Sequence, residues 1–375
     1  MRSSAAASSH AAAAEAATQA FHAEPGETAG TAIDAVIAGV LALAARHAGV
    51  MLGCGTILLG GTGEGSLVID ARARQPGLGA ARPRGFTDAA SIPDAARIAA
   101  PSLPAALTLA HAGRGNRTRT ALLRTGVAAA QAVGKVTKTD EARVESLRAF
   151  GREGGGFLRA GPIRDALLEV SARSLGGTLT RDDLDAIRPE IAQARKIDVE
   201  ARQWAVVPWA RALGAHEELE PQTITGDVAI VAACDAFGAV AIASVLLPKL
   251  VKAVGETGLS VPLLARPVMR GVARDPAGAP LPMPAPIGVA HGRSFEGGKS
   301  ELGGVDLALG LGGEGDLEAL FDDVARRLSV AGAPIDDVIA AKRAGEETEP
   351  LGVAAGVLID ARGRGRALAD PRRRS

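Results

Sequence analysis

Hydrophobic positions along the chain follow a helical period in some segments and a strand period in others. Two Ala-rich segments, 10–23 and 31–49, carry helix-favouring residues, and Pro25 and Gly26 separate them. This pattern predicts a helical hairpin. Within 53–77, an apolar run, a Gly-rich turn and the stretch SLVID follow one another, which predicts a β-hairpin.

Residues 101–172 read as four helices separated by glycine-rich breaks. In GGTLTRDDLDAI, Thr180 is a predicted N-cap, and Asp182 and Asp183 fall in the first turn, where the helix dipole favours carboxylates. The stretches ARQWAVVP and GDVAIVAACDAFGAVAIASVL predict strands. A Pro-rich loop at 275–288 precedes the helix DLEALFDDVARRLSVAG and the strand AAGVLIDARGR.

This order of elements favours two sheets packed face to face with helices outside, although layer packing alone allows other α+β arrangements. We find no repeat of fixed period and no composition break, so one domain is expected over 8–373. Residues 1–7 are expected to be a disordered tail.

Composition and charge narrow the function classes. Of the 375 residues 47% are hydrophobic and 22% charged, which is typical of a globular protein and excludes disorder. Lys and Arg number 42, as do Asp and Glu, so no net charge favours nucleic acid or an anionic membrane. Two cysteines cannot form a disulfide framework, and no Cys/His cluster has zinc spacing. We expect a reducing compartment and no metal.

Targeting and cofactor signals are weak. Ser9, His10 and Glu15 interrupt the only segment that could be the apolar part of a signal peptide, and Arg46 and His47 interrupt the longest apolar run. A cytoplasmic location is therefore expected. The Gly-rich turn at 60–65 fits neither phosphate-binding glycine motif and precedes a strand, so no cofactor is expected.

Several stretches, in order, resemble motifs of the γ-glutamyltranspeptidase family. SHAAAAEA resembles the opening S-H-P-L-A-T-E-A, VIDARARQP resembles A-L-D-G-R-E-A-A-P, and GGTLTRDDLDAI resembles G-G-x-L-T-x-x-D-L-A-x-Y. LALGLGGEGDLEAL and ALADPRR resemble the family's Gly-Gly turn and its closing G-A-A-D-P-R-R. The resemblance covers most of residues 8–373. It implies the four-layer αββα sandwich of the N-terminal-nucleophile hydrolases, an α+β fold.

In that family a threonine after Gly-Asp cleaves its own chain and then forms an acyl-enzyme with the substrate's γ-amide. Aligned without gaps, the family's G-D-T-T-H falls on Gly226, Asp227, Val228, Ala229 and Ile230. Val228 thus takes the nucleophile position with a similar shape and no hydroxyl. Neither autocleavage nor acyl transfer is expected at that residue.

Other family positions have also changed. Pro282 stands near the family's Ser-Ser pair, and the residues that grip the substrate's amino group have no evident counterpart. Arg72 falls on the arginine that pairs with the substrate's α-carboxylate, and Gly312 and Gly313 fall on the two oxyanion-hole glycines. Without the resemblance, Arg72 reads as a surface or salt-bridged arginine and the glycines as a tight turn.

Rival nucleophiles are weaker. A shifted register makes Thr225 the nucleophile, but Ile224 and Gly226 do not resemble a processing site. Cys234 alternates with Val228 along the strand and reads as a small buried residue, and Cys54 lies in a Gly-rich loop. The six histidines are scattered, and none has a Ser or Cys partner that the sequence reveals.

Two functional hypotheses remain open. In the first, the chain is a γ-glutamyltranspeptidase-like protein without the threonine chemistry, which binds a small carboxylate, forms a homo-oligomer or partners an active paralogue. In the second, it is a divergent hydrolase or acyltransferase of a γ-glutamyl-like or other amide bond, using another nucleophile or an activated water.

Overall fold

A computed structural model describes residues 3–22, 28–61, 65–80, 85–134, 137–210, 226–293, 302–330, 335, 338, 353–360 and 364–369. Within them the chain forms two six-stranded antiparallel sheets and a small hairpin. The strands are β1 (Ala5–Ser8), β2 (Gly55–Gly60), β3 (Leu67–Ala71), β4 (Glu190–Gln193), β5 (Arg195–Val199), β6 (Arg202–Val206), β7 (Gly226–Cys234), β8 (Val240–Pro248), β9 (Val251–Ala253), β10 (Ser260–Pro262), β11 (Ile287–Arg293), β12 (Leu302–Gly312), β13 (Val353–Ile359) and β14 (Gly365–Ala369). The helices are α1 (Ala11–Gln19), α2 (Ala32–Arg46), α3 (Leu103–Arg114), α4 (Arg119–Gln131), α5 (Lys138–Glu153), α6 (Pro162–Val170), α7 (Arg181–Asp185) and α8 (Leu317–Ser329).

The first sheet has the order β1-β7-β8-β2-β3-β4. Helices α1, α2 and α3 contact it directly, α4 packs on α1 and α2, and α5 packs on α2 and α4. Helix α2 begins at a capping box between Thr31 and Asp34, and Asp34 also accepts the backbone N–H groups of Asn116 and Arg117. These hydrogen bonds hold the N-terminus of α2, the helix that packs on β7 and β8.

The second sheet has the order β14-β13-β12-β11-β6-β5, and α8 covers its outer face. Phe321 of α8 meets Trp204 of β6 edge to face, with ring centroids 5.7 Å apart. Between the two sheets lies a core of small and branched residues from β7, β8, β11, β12 and β13. The layers are helix, sheet, sheet, helix, which is the predicted order.

Several local predictions are confirmed. Helices α1 and α2 form the expected helical hairpin, and β2 and β3 pair antiparallel as the expected β-hairpin. Thr180 caps α7 through a capping box with Asp183. Single-domain organisation over 8–373 stays a prediction.

The chain start differs from the expected disordered tail over 1–7. Ala5–Ser8 form β1, which pairs antiparallel with β7 from Ala5 opposite Cys234 to Ser8 opposite Val231. The reason is that buried β7 needs partners for its second edge, and small side chains let another strand approach closely. The short, alanine-rich segment carries no local strand signal.

Candidate functional site at the start of β7

Val228 is the third residue of β7, and its side chain is 3% exposed. Ile230 and Ala232 lie in the same inter-sheet core as Val228, whereas Ala229 and Val231 pack in the core beneath the helices. This alternation directs Val228 towards the second sheet. The candidate nucleophile position therefore presents only methyl groups to the inter-sheet layer.

The second edge of β7 is completed by two segments, residues 5–9 and the turn at Gly313. Strand β1 pairs with residues 231–234. Next, the Ser9 N–H donates to the Ile230 carbonyl at 3.1 Å, and the Ile230 N–H donates to Ser9 Oγ at 3.0 Å. Finally, Val228 and Gly313 exchange two backbone hydrogen bonds, each 2.8 Å long. The strand edge is thus satisfied up to Val228.

The structure brings Gly312 and Gly313 to Val228, 84 positions back along the chain. Gly313 has φ +126°, a conformation that side-chain-bearing residues rarely adopt. A Cβ at Gly312 would lie 2.7 Å from Ser9 Oγ and 2.8 Å from the Val228 carbonyl oxygen, so only glycine fits. The Gly313 N–H, a predicted oxyanion donor, already donates to the Val228 carbonyl.

Arg72 follows β3 and is held by an internal carboxylate. Its Nε and one Nη donate to the two oxygens of Asp70 at 3.0 and 2.9 Å, and its guanidinium carbon lies 4.1 Å from the ring centroid of Trp209. Arg74 also donates to Asp70, at 3.3 Å. The fork that the resemblance assigns to a substrate carboxylate is therefore occupied by Asp70.

Sequence reasoning missed Asp70, although residues two positions apart in an extended segment, such as Asp70 and Arg72, lie on the same face. Asp70 is opposite Thr56, and Thr56 is opposite Ser244, so the three form one row across β3, β2 and β8. The hydroxyls of Thr56 and Ser244 are buried and have no hydrogen-bond partner among the described residues. A row of polar side chains therefore runs across the inner face of the first sheet.

One histidine has a serine partner that the sequence did not reveal. Ser9 Oγ lies 3.1 Å from Nδ1 of His10, and both side chains are buried. The His10 ring meets the His47 ring edge to face, with centroids 6.0 Å apart. Burial, followed by the charges of Arg46 and Arg143, lowers the pKa of His47.

The two cysteines are buried and poorly suited to attack a substrate. Burial raises the pKa of the Cys234 thiol to about 11 and that of Cys54 to about 12, so both thiols are protonated at neutral pH. Cys234 lies at the far end of β7 from Val228, beside β1. Thr225 lies outside the described residues.

The described residues contain no group of three or more His, Cys, Asp or Glu side chains that could hold a metal ion. None of the helices within the described ranges has the length and hydropathy needed to cross a membrane.

No known family profile matches the sequence, and no curated protein matches it in sequence. Solved structures do match. Two structures of LmbA superpose with TM-scores of 0.67 and 0.65 at 15% identity, over 98% of this chain and 96% of theirs. A cephalosporin acylase from Bacillus halodurans superposes with a TM-score of 0.62 at 13% identity, over 99% of this chain and 94% of its own.

A γ-glutamyltranspeptidase from Pseudomonas nitroreducens matches only in part, with a TM-score of 0.43 and 20% identity over 53% of this chain and 69% of its own. The fold conclusion rests on the more complete superpositions. At 13–15% identity they establish the architecture alone. The chain has the four-layer αββα fold of the N-terminal-nucleophile hydrolases.

Proposed function

We propose that this protein keeps the N-terminal-nucleophile hydrolase fold without its threonine chemistry. It leaves its own chain whole, transfers no γ-glutamyl group, and acts as a binding protein or as the partner of an active paralogue. The observation that carries the proposal is the reciprocal backbone pairing of Val228 with Gly313.

Acyl transfer needs an atom that attacks and donors that receive the developing negative charge. The side chain of Val228 supplies no attacking atom. The Gly313 N–H, which the resemblance assigns to the oxyanion, is bonded to the carbonyl of Val228 at 2.8 Å. A substrate carbonyl would have to displace that oxygen, so both halves of the reaction are blocked at this point.

The proposed ligand is a small carboxylate beside Arg72. One guanidinium nitrogen of Arg72 is not used by Asp70, and the indole N–H of Trp209 is buried without a partner among the described residues. The hydroxyls of Thr56 and Ser244 add two uncommitted donors. Because Asp70 occupies the fork, we expect weak affinity and little selectivity between amino acids and plain carboxylic acids.

Intact mass and turnover test the loss of chemistry. Purified protein should give one full-length species and no release from a chromogenic γ-glutamyl anilide above the buffer rate. Two fragments that divide near residue 225 or 228, or turnover at ordinary enzyme rates, would overturn the proposal. Calorimetry with glutarate and glutamate tests the ligand separately. Equal affinity in wild type and Arg72→Ala would remove the carboxylate site and leave the first conclusion intact.

A second candidate function is amide-bond hydrolysis through another nucleophile. The Ser9 Oγ to His10 Nδ1 contact beside Gly312 favours it, because a serine needs an adjacent base. Against it, Ser9 is 1% exposed and its Oγ already accepts the Ile230 N–H. Wild-type amidase activity that Ser9→Ala and His10→Gln both abolish would favour this candidate over the first.

A further inference from the structure

A separate cavity of about 370 Å³ lies beside the segment that follows β3. Three arginines line it, Arg173, Arg266 and Arg274, and no acidic side chain of the described chain does. We call this cavity the arginine pocket. Its volume falls within the range of small-molecule sites.

The cations of the arginine pocket are poorly compensated. The guanidinium groups of Arg173 and Arg274 have no hydrogen-bond or ion-pair partner within the described part of the chain. Among the described residues, the guanidinium of Arg266 pairs only with Asp275, at 3.5 Å, and both side chains are more than 40% exposed. Three guanidinium groups against one carboxylate leave an excess of two positive charges. Uncompensated like charges around a concave surface attract anions.

Hydrogen bonds to the backbone connect the walls of the pocket. Gln75 is 4% exposed, its amide nitrogen donates to the Arg266 carbonyl at 2.7 Å, and its amide oxygen accepts the Arg266 N–H at 3.0 Å. On the other rim, the Phe86 N–H donates to the Val268 carbonyl at 2.8 Å. A site whose backbone is already fixed loses less entropy when a ligand binds.

The remaining lining is mainly apolar, with one hydroxyl. Pro76, Phe86, Pro267 and Val268 supply apolar surface, and the side chain of Thr178 adds a donor. We propose that the arginine pocket binds an organic dianion with a short apolar body. Two negative charges match the two excess positive charges, and the apolar body lies against the proline and phenylalanine side. The site uses none of the residues at the start of β7 and is independent of whether threonine chemistry is lost.

Calorimetry with phenyl phosphate at pH 8 tests the proposal, because the phosphate is then a dianion. Isophthalate, a dicarboxylate of similar size, distinguishes a general dianion site from a phosphate site. Both should bind at least about tenfold more tightly than inorganic phosphate, which has charge and no apolar body, and benzyl alcohol should not bind. Inorganic phosphate binding as tightly as phenyl phosphate would overturn the assignment to an organic anion.

Variants locate the binding. Arg274→Gln and Arg173→Gln should each weaken phenyl phosphate binding about tenfold, whereas Arg274→Lys keeps the charge and should lose less. Asp275→Asn should strengthen binding, because it frees Arg266. Arg152→Gln, an exposed position on α5 outside the lining, is the matched charge control and should change nothing. Equal losses in Arg274→Gln and Arg152→Gln, or no binding by wild type, would overturn the proposal.

Discussion

The start of β7 and the arginine pocket differ in whether their polar groups are paired with other protein atoms. We call the first the closed region and the second the open region. At β7 the backbone groups of Val228, Gly313 and Ile230 are paired with protein atoms. In the arginine pocket the guanidinium groups of Arg173 and Arg274 have no partner within the described chain. Closed hydrogen bonding stabilises the fold and leaves little for a ligand, whereas uncompensated charge persists only where water or a ligand can reach it. The candidate site at the start of β7 and the proposed dianion site are therefore different places in this chain.

Replacing one carboxylate in each region should give the largest difference in stability between the two regions. Asp70 is 1% exposed and serves both Arg72 and Arg74. Asp70→Asn should lower the free energy of unfolding by about 3 kcal/mol, because it leaves the mostly buried guanidinium of Arg72 without its anion and Arg74 with only the exposed Glu190. Urea unfolding at pH 7 measures the loss. Asp275→Asn removes an equal charge from an exposed pair at 3.5 Å and should leave stability unchanged.

Equal stability losses in the two variants would contradict the contrast between a closed and an open region. Arg72→Gln supplies an internal check on the larger effect. It should cost less than Asp70→Asn, since Asp70 keeps Arg74 as a partner. A larger cost for Arg72→Gln would mean that stacking on Trp209, rather than the ion pair, holds this corner together.

The sequence predicted the parts of the fold that have local causes. The α1–α2 hairpin follows from helix propensity and a Pro-Gly break, and the α7 cap follows from Thr180 and Asp183. Strand β1 could not be predicted, because its pairing depends on an edge of β7 more than 220 positions away. Strands β4 and β5 were missed because they are short and mostly half-exposed or exposed.

Parts of the candidate site were predicted and parts were not, again because the sequence does not reveal contacts between distant residues. The resemblance placed Val228 and the Gly312–Gly313 pair in one site, and the structure brings them together. It did not reveal that the Arg72 fork is filled by Asp70, which depends on side-chain geometry. The arginine pocket had no sequence signal at all, because only the folded chain brings Arg173 to the distant segment that carries Arg266 and Arg274.

Adding a single methyl group at Gly312 tests how tightly the edge of β7 is packed. Gly312→Ala places a Cβ within 2.8 Å of Ser9 and of the Val228 carbonyl, so the β7 edge must shift. We expect a loss of about 2 kcal/mol in the free energy of unfolding, measured by urea titration. Gly113→Ala in α3 is the matched control, because a Cβ there meets nothing within 4 Å and should be neutral or slightly stabilising. Equal effects would show that the β7 edge yields more readily than its packing indicates.

The smallest expected difference between the two regions is in their response to pH. The pKa of His47 is lowered below its ordinary value of 6.5, so the folded state favours the neutral ring. The unfolded chain therefore binds more protons as the pH falls through 6.5. The stability that His47 contributes is present above that pH and is lost on acidification, by at most about 1.4 kcal/mol per pH unit.

We therefore expect the urea midpoint of wild type to fall from pH 7.5 to pH 5.5, and His47→Gln to flatten that fall. His22→Gln, at an exposed position, should leave the slope unchanged. The arginine pocket should respond differently, since none of the described residues that line it is a histidine and guanidinium groups stay charged throughout this range. Benzene-1,3-disulfonate keeps its two charges over the same pH values, so its affinity should stay constant while the urea midpoint moves. An affinity that follows the midpoint would mean that the pocket and the β7 region are coupled, and the contrast between them would no longer hold.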